Sequence, residues 1–147
     1  MNPKLEMEII WEDEHMIKVK VFACNDLFSG SADCYTSRTD IEDFAQTVSG
    51  YPKTIDDQVS FGTGDSEPDA KMSNFLCTFK PTHRTGHYMA NINIYHVITY
   101  SGSHKESSSV DLEFGIEPAS IDIFVTSLNT LSLKPRGEFK AVLNGKA

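Results

Sequence analysis

Hydrophobic and polar residues alternate along most of this chain. In residues 15–24, for example, Ile17, Val19 and Val21 alternate with lysines, and residues 87–100 continue the same pattern over a longer stretch. A period of two residues is typical of a strand that buries one face. This pattern predicts seven strands, over residues 7–11, 15–24, 28–37, 58–62, 73–80, 87–100 and 108–117.

Two segments have a helical period instead. Residues 39–52 begin with Thr39 and Glu42 at the spacing of a capping box, in which each side chain accepts a hydrogen bond from a backbone amide of the first turn. Residues 118–131 begin with Pro118, a residue favoured in the first turn of a helix. We predict helices in both segments, although the β-branched residues of the second also fit a strand.

The order of these elements predicts an α+β fold. We expect a twisted, mainly antiparallel sheet of about six to seven strands, with two helices packed on one face. A chain of 147 residues has the length of a single domain, over residues 1–147. Each predicted helix follows a strand, which suggests two related strand–helix halves. The tail, 134–147, is expected to be flexible or to add a short edge strand.

The charge of the chain is strongly negative. It has 21 Asp and Glu against 13 Lys and Arg, a formal net charge of −8 and a pI near 5.0. Because Lys and Arg supply most of the affinity for phosphate backbones, we expect no binding to nucleic acid or to an anionic membrane. A basic protein would be attracted by the same field. The acids concentrate in residues 40–69, where Lys53 is the only base.

The lack of a recognisable targeting signal and the spacing of the cysteines favour a cytoplasmic protein. The first residues lack the basic and apolar regions of a signal peptide, and no apolar run has the length of a membrane span. The three cysteines, Cys24, Cys34 and Cys77, form no CxxC pair. We therefore expect reduced, buried thiols rather than structural zinc or redox chemistry.

The sequence contains no enzyme motif. Asp65, Glu67 and Asp69 alternate as at the start of a calcium loop, but the glycine and glutamate that such a loop needs are absent. We expect a solvated acidic loop there. His96 lies on the apolar face of a predicted strand and is expected to be a hydrogen-bonded core residue. These observations predict a protein that is not an enzyme and has no metal or cofactor.

Several short motifs follow one another in the order found in a group of small bacterial proteins. They are Phe28-Ser29-Gly30, Asp40-Ile41-Glu42-Asp43-Phe44, Gly86-His87-Tyr88 and Leu112-Glu113-Phe114, the last leading to Phe124 and Leu128. In this order the chain resembles a group that includes immunity proteins of the wall-associated toxin type. The resemblance implies an α+β binding protein that neutralises a toxin domain by contact and has no catalytic residues.

We therefore predict a cytoplasmic, non-enzymatic protein-binding module, with a basic protein such as a cognate toxin domain as its partner. Inhibition would combine steric occlusion with electrostatics, since carboxylates can replace the anionic substrate in a basic cleft. The residues predicted to bind the partner are Asp56, Asp57, Asp65, Glu67 and Asp69.

The alternative is a small-molecule-binding domain or an enzyme without a recognisable motif. Its ligand would occupy a pocket between the sheet and the helices, where polar side chains converge. The candidate pocket residues are His96 with Tyr88 or Tyr100.

Overall fold

The structure, a computed structural model, describes residues 2–64, 71–99 and 105–146. This part of the chain contains eight strands and two helices. In chain order they are β1 (Lys4–Glu12), β2 (Ile17–Cys24), β3 (Ser29–Thr36), α1 (Arg38–Val48), β4 (Val59–Gly62), β5 (Asn74–Pro81), β6 (Tyr88–Thr99), β7 (Lys105–Ile116), α2 (Pro118–Leu131) and β8 (Lys140–Asn144).

The strands form two four-stranded antiparallel sheets. Sheet A has the order β3-β2-β1-β8 and sheet B the order β4-β5-β6-β7. The α+β class is confirmed, but the expectation of a single sheet of six to seven strands was wrong. Alternation shows which side chains face the core. It does not show how strands are divided between sheets, because both sheets turn their apolar faces towards the same core.

The two halves of the chain have the same order of elements. Three antiparallel strands are followed by a helix and then by one more strand, first from β1 to β4 and then from β5 to β8. In each half the strand after the helix lies outside a three-stranded unit: β4 pairs with β5, and β8 pairs with β1. The last strand of each half therefore completes the sheet of the other half.

Each helix begins with a residue that suits its first turn. Ser37 is the N-cap of α1, and its hydroxyl accepts a hydrogen bond from the amide of Asp40. The cap thus lies two residues before the predicted capping residue, Thr39. Residues 118–131 are helical as predicted, with Pro118 in the first turn of α2.

One hydrophobic core joins both sheets and both helices. Phe44 of α1 packs against Phe61 and Phe75 of sheet B, with ring centroids 5.4 and 5.9 Å apart. Phe124 of α2 packs against Phe61 at 5.9 Å, while α2 also contacts β8 of sheet A. The helices therefore contact both sheets, instead of covering one face of a single sheet.

Strand β3 packs against β5, β6 and β7 of sheet B. Its Gly30 approaches the side chain of Val110 on β7 so closely that an added Cβ would lie 2.5 Å from Val110 Cγ1. The absence of a side chain at Gly30 is thus what allows this close approach. The contact fixes where the last strand of sheet A lies against sheet B.

The end of the chain is also part of the fold. Ala141 and Leu143 of β8 are buried, and β8 pairs with β1 along its whole length. Residues Lys140–Asn144 of the tail are therefore part of sheet A. No helix in the described ranges has the length and apolarity to cross a membrane.

Candidate functional site

Strand β3 forms one edge of sheet A, where it pairs with β2 alone in the described part of the chain. The amide of Asn25 donates to the carbonyl of Phe28 at the turn between these strands, so this pair is hydrogen-bonded. Hydrogen-bonded and non-bonded pairs alternate along an antiparallel ladder. It follows that the N–H and C=O groups of Ser31, Asp33 and Tyr35 point away from β2, towards the free edge.

The corresponding edge of sheet B is partly occupied by the chain itself. Along β7, the side-chain amide of Asn25 donates to the carbonyl of Glu113 at 3.1 Å, and the amide of Lys146 donates to the carbonyl of Gly115 at 2.8 Å. Among the residues described, none makes such a bond to the outer edge of β3. Of these two corresponding edges, only that of β7 has such partners within the described part of the chain.

Sheet B extends beyond β3. Along the inner face of β6, Ile94 is buried, His96 is half-buried and Ile98 is 43% exposed. Ile92 and Ile94 are therefore buried, whereas His96 and Ile98, further along the same face, are not. The inner face of sheet B loses its cover gradually, since sheet A ends at β3.

A groove runs between the free edge of β3 and this extension of sheet B. It contains two cavities, of about 120 and 270 Å³, and His96 lines both. We call it the β3 groove. Its lining residues from sheet A are Lys18, Ser29, Gly30, Ser31, Asp33 and Tyr35, and those from the opposite wall are Lys71, Met72, Ser73, Ile94, His96, Val97, Ser108, Ser109 and Val110.

His96, which lines this groove, has one polar atom without a partner, its Nδ1. It is shielded from solvent, and it has no hydrogen-bond partner among the described residues. An unbonded buried polar atom costs about 1–3 kcal/mol. His96 was predicted to be a hydrogen-bonded core residue, and the structure corrects this.

An aromatic row continues the groove onto the outer face of sheet A. Trp11 pairs with Lys18, and Lys18 pairs with Tyr35, in the registers of β1, β2 and β3. The Trp11 and Tyr35 rings meet edge to face, 6.0 Å apart, and the Lys18 ammonium lies 4.9 Å from the centre of the Tyr35 ring. These contacts between the two rings, and between the ammonium and a ring, keep the flat apolar side chains of Trp11 and Tyr35 in place although both are partly exposed.

The acidic residues predicted to bind a partner lie elsewhere. Asp56 accepts a hydrogen bond from the Thr54 hydroxyl, and Asp57 accepts one from the Lys53 amide, so both carboxylates stabilise the turn after α1. The carbonyl of Asp57 also accepts a hydrogen bond from the Tyr51 hydroxyl. The remaining three predicted residues, Asp65, Glu67 and Asp69, lie outside the described residues.

The exposed side of α1 is acidic. Asp40, Glu42 and Asp43 all lie on it, and we call these three residues the α1 acidic face. Arg38 is the only base in the helix, and its guanidinium donates to the Glu12 carboxylate and to two backbone carbonyls near the end of α2. The positive charge of Arg38 is thus engaged at one end of the helix.

The residues of the alternative pocket are not brought together. Tyr88 and His96 are eight residues apart on β6, which places them roughly 26 Å from each other along the strand. Tyr88 is buried against the Tyr51 ring, at a centroid distance of 5.5 Å. Tyr100 lies outside the described residues. The space between the sheets and the helices is filled by the side chains of the core.

The three thiols are buried and free. Burial raises the pKa of Cys34 from 9.0 to about 12, although a hydrogen bond with Thr63 partly opposes the shift. Burial likewise raises the pKa of Cys77. Since the thiolate is the reactive form, neither residue has the properties of a nucleophile. Among the described residues, no group of three or more His, Cys, Asp or Glu could hold a metal ion.

Comparison with known proteins adds no relative: no family model, no curated protein and no solved structure matches the chain. The fold and the site therefore define the class of protein on their own. It is an α+β protein of two four-stranded sheets, with a groove along a strand edge that no described residue pairs with.

Proposed function

We propose that the chain is a protein-binding module that holds a partner polypeptide in the β3 groove. The observation that carries this proposal is the combination of a strand edge that is unpaired among the described residues, a groove beside it that His96 lines, and the exposed side chain of Ile98 two residues further along β6. From Ser29 to Tyr35 the groove follows roughly 20 Å of strand. A groove of this length suits a polypeptide, because a small molecule would cover only part of it.

The charge of the chain supports a basic partner. With a net charge of −8, the protein attracts cations over a distance set by the ionic strength. The α1 acidic face contributes three carboxylates to this field. We assign it to the steering of the partner, which changes the association rate more than the lifetime of the complex.

A toxin domain is the class of partner to test first. The sequence resembles a group that includes toxin immunity proteins, and a basic cleft that binds an anionic substrate would be attracted by an acidic protein. Neutralisation would then occur by covering the cleft, with no chemical step on the chain itself.

The test is co-expression with the product of the gene next to that of this chain. We expect the chain to rescue the growth of cells that produce a toxic neighbour, and to form a complex whose association rate falls as salt is added. If no neighbouring product is neutralised and none forms a complex, the proposed function is wrong.

Two pairs of variants locate the contact. Ile98→Glu places a charge on β6 two residues beyond His96, a lining residue of the β3 groove, and Ile123→Glu is its matched control on α2, where the isoleucine is 65% exposed. We expect only the first to weaken the complex. Glu42→Lys in the α1 acidic face should slow association, while Asp26→Lys in the turn before β3 should have a smaller effect. Equal effects within each pair would contradict the assigned surfaces.

A further inference from the structure

We infer that the partner segment binds as an extended strand that adds to the free edge of β3. This inference rests on the proposed function, that the chain binds a polypeptide, and it specifies the conformation of the bound segment. It follows from the backbone of β3, from the side chains beside β3 and from the hydrogen bonds at the corresponding edge of sheet B.

The backbone of β3 offers a regular set of donors and acceptors. Ser31, Asp33 and Tyr35 turn their N–H and C=O groups outward at intervals of two residues. Another extended backbone presents the same repeat, and for this reason free strand edges bind strands. Lys18, Asp33 and Lys71 line the groove, and because their charges have opposite signs, we expect the groove to favour no strongly charged side chain of the bound segment.

The side chains beside β3 lie where an added strand would cover them. Neighbouring strands are about 4.8 Å apart, so a fifth strand of sheet A would lie over the exposed inner face of β6 and β7. Alternate side chains of the segment would point towards this face. We assign one apolar side chain to Ile98, and the side chain two residues away to the position beside His96.

A second copy of the chain fits this position poorly. Antiparallel pairing of two β3 strands would put the inner faces of both on the same side of the joined sheet. The inner face of β3 is already packed on its own sheet B, as the contact of Gly30 with Val110 shows. It could not also cover His96 and Ile98 of another copy. A separate segment has both faces free.

The corresponding edge of sheet B differs from that of β3. Asn25 and Lys146 bond carbonyls of β7 at the corresponding edge of sheet B, so the chain itself supplies those partners. Strand β3 has no equivalent among the described residues. The partner segment would take the role at β3 that the chain itself plays at β7.

The test uses a randomised library of twelve-residue peptides displayed on phage and selected against the whole chain. The critical variant is Ser31→Pro, which removes one outward N–H and leaves the ladder to β2 intact. Ser31→Ala is the side-chain control. Ser60→Pro on β4 is the matched proline control, because the bond from the Thr63 amide to the Phe75 carbonyl places the Ser60 N–H on the side away from β5.

We expect selected peptides to bind the wild type, and to bind Ser31→Pro about tenfold more weakly, for loss of a backbone hydrogen bond. Binding to Ser31→Ala and Ser60→Pro should stay within about twofold of wild type. Enrichment of no peptide, or binding that ignores Ser31→Pro, would overturn the inference. So would a dimer of the chain that Ser31→Pro dissociates, since β3 would then bind a second copy.

The library needs no natural partner, so the two proposals can fail separately. A neighbouring product that is neutralised while β3 binds no peptide would refute strand addition and leave the proposed function standing. Peptides that bind β3 while no neighbouring product is neutralised would support strand addition and refute the toxin partner.

Discussion

The close contact between Gly30 and Val110 fixes β3 against sheet B, and it predicts a specific loss of stability. In Gly30→Ala, the new methyl group would lie 2.5 Å from Val110 Cγ1 and 3.3 Å from Val110 Cβ. Carbon atoms need about 3.5–4.0 Å, so the strands must move apart by roughly 1 Å. Overpacking of this kind costs about 1–3 kcal/mol, against which replacing a strand glycine recovers about 0.5–1 kcal/mol.

A second substitution should remove this penalty. Val110→Ala deletes both γ-methyl groups of a half-buried side chain and should cost about 1–1.5 kcal/mol on its own. In that background, Gly30→Ala has room and should no longer destabilise. The double-mutant cycle should therefore show a favourable coupling of about 1–3 kcal/mol.

The assay is urea unfolding followed by far-UV circular dichroism for the wild type, both single variants and the double variant. Gly115→Ala is the control, because its nearest neighbour is Lys146 Cδ at 3.3 Å, part of a flexible side chain that can move aside. We expect no loss of stability in the control. Additive effects of the two main substitutions would mean that β3 does not lie against β7 as described.

Three further predictions concern single residues. Because burial raises the pKa of Cys34 from 9.0 to about 12, the unfolded chain loses the thiol proton at a lower pH than the folded chain does. Between pH 9 and pH 12 the free energy of unfolding should therefore fall by about 1.4 kcal/mol per pH unit relative to that of Cys34→Ala. Parallel pH profiles of the two proteins would refute this. Tyr51→Phe removes the 2.7 Å hydrogen bond to the Asp57 carbonyl, and in urea unfolding it should cost about 1 kcal/mol of stability. The control Tyr35→Phe changes an exposed side chain and should cost little, so equal losses would be inconsistent with a stabilising hydrogen bond at Tyr51. Arg38→Lys keeps the positive charge, but a lysine ammonium cannot bond a carboxylate and two carbonyls at once as the guanidinium of Arg38 does. A thermal unfolding scan should show a loss of about 1–2 kcal/mol of stability, and a stability equal to that of the wild type would exclude a role for the planar guanidinium.

Local pattern was sufficient for most strands and for both helices. Residues 87–100 alternate clearly, and β6 occupies Tyr88–Thr99 within them. Strand β7 begins at Lys105, three residues before the predicted start. Its first residues are polar because they extend beyond the core, so they carry no apolar alternation. A strand that lacks a buried face cannot be recognised from periodicity.

The start of α1 depended on contacts that are remote in the sequence. Thr39 and Glu42 have capping-box spacing, yet the helix begins at Arg38 with Ser37 as its cap. The guanidinium of Arg38 binds carbonyls near the end of α2, more than ninety residues away. Both hydroxyl residues suit an N-cap, and only the tertiary structure distinguishes them.

The candidate site was the least accessible to sequence reasoning. Alternation placed Ile94, His96 and Ile98 on one face of β6 correctly, but their burial depends on where sheet A ends. The position of β3 at an edge follows from pairing and not from its own residues. The small polar residues from Ser29 to Ser31 were a signal for this edge, since they have little apolar surface to bury.

Amide exchange measured by NMR on the free protein and on its complex with a selected peptide tests most directly whether β3 is a binding edge. In the free protein, the amides of Ser31, Asp33 and Tyr35 should exchange quickly, while those of Ala32 and Cys34, which bond to β2, exchange slowly. The bound peptide should protect the first three. Uniform protection in the free protein, or no new protection in the complex, would contradict strand addition at β3.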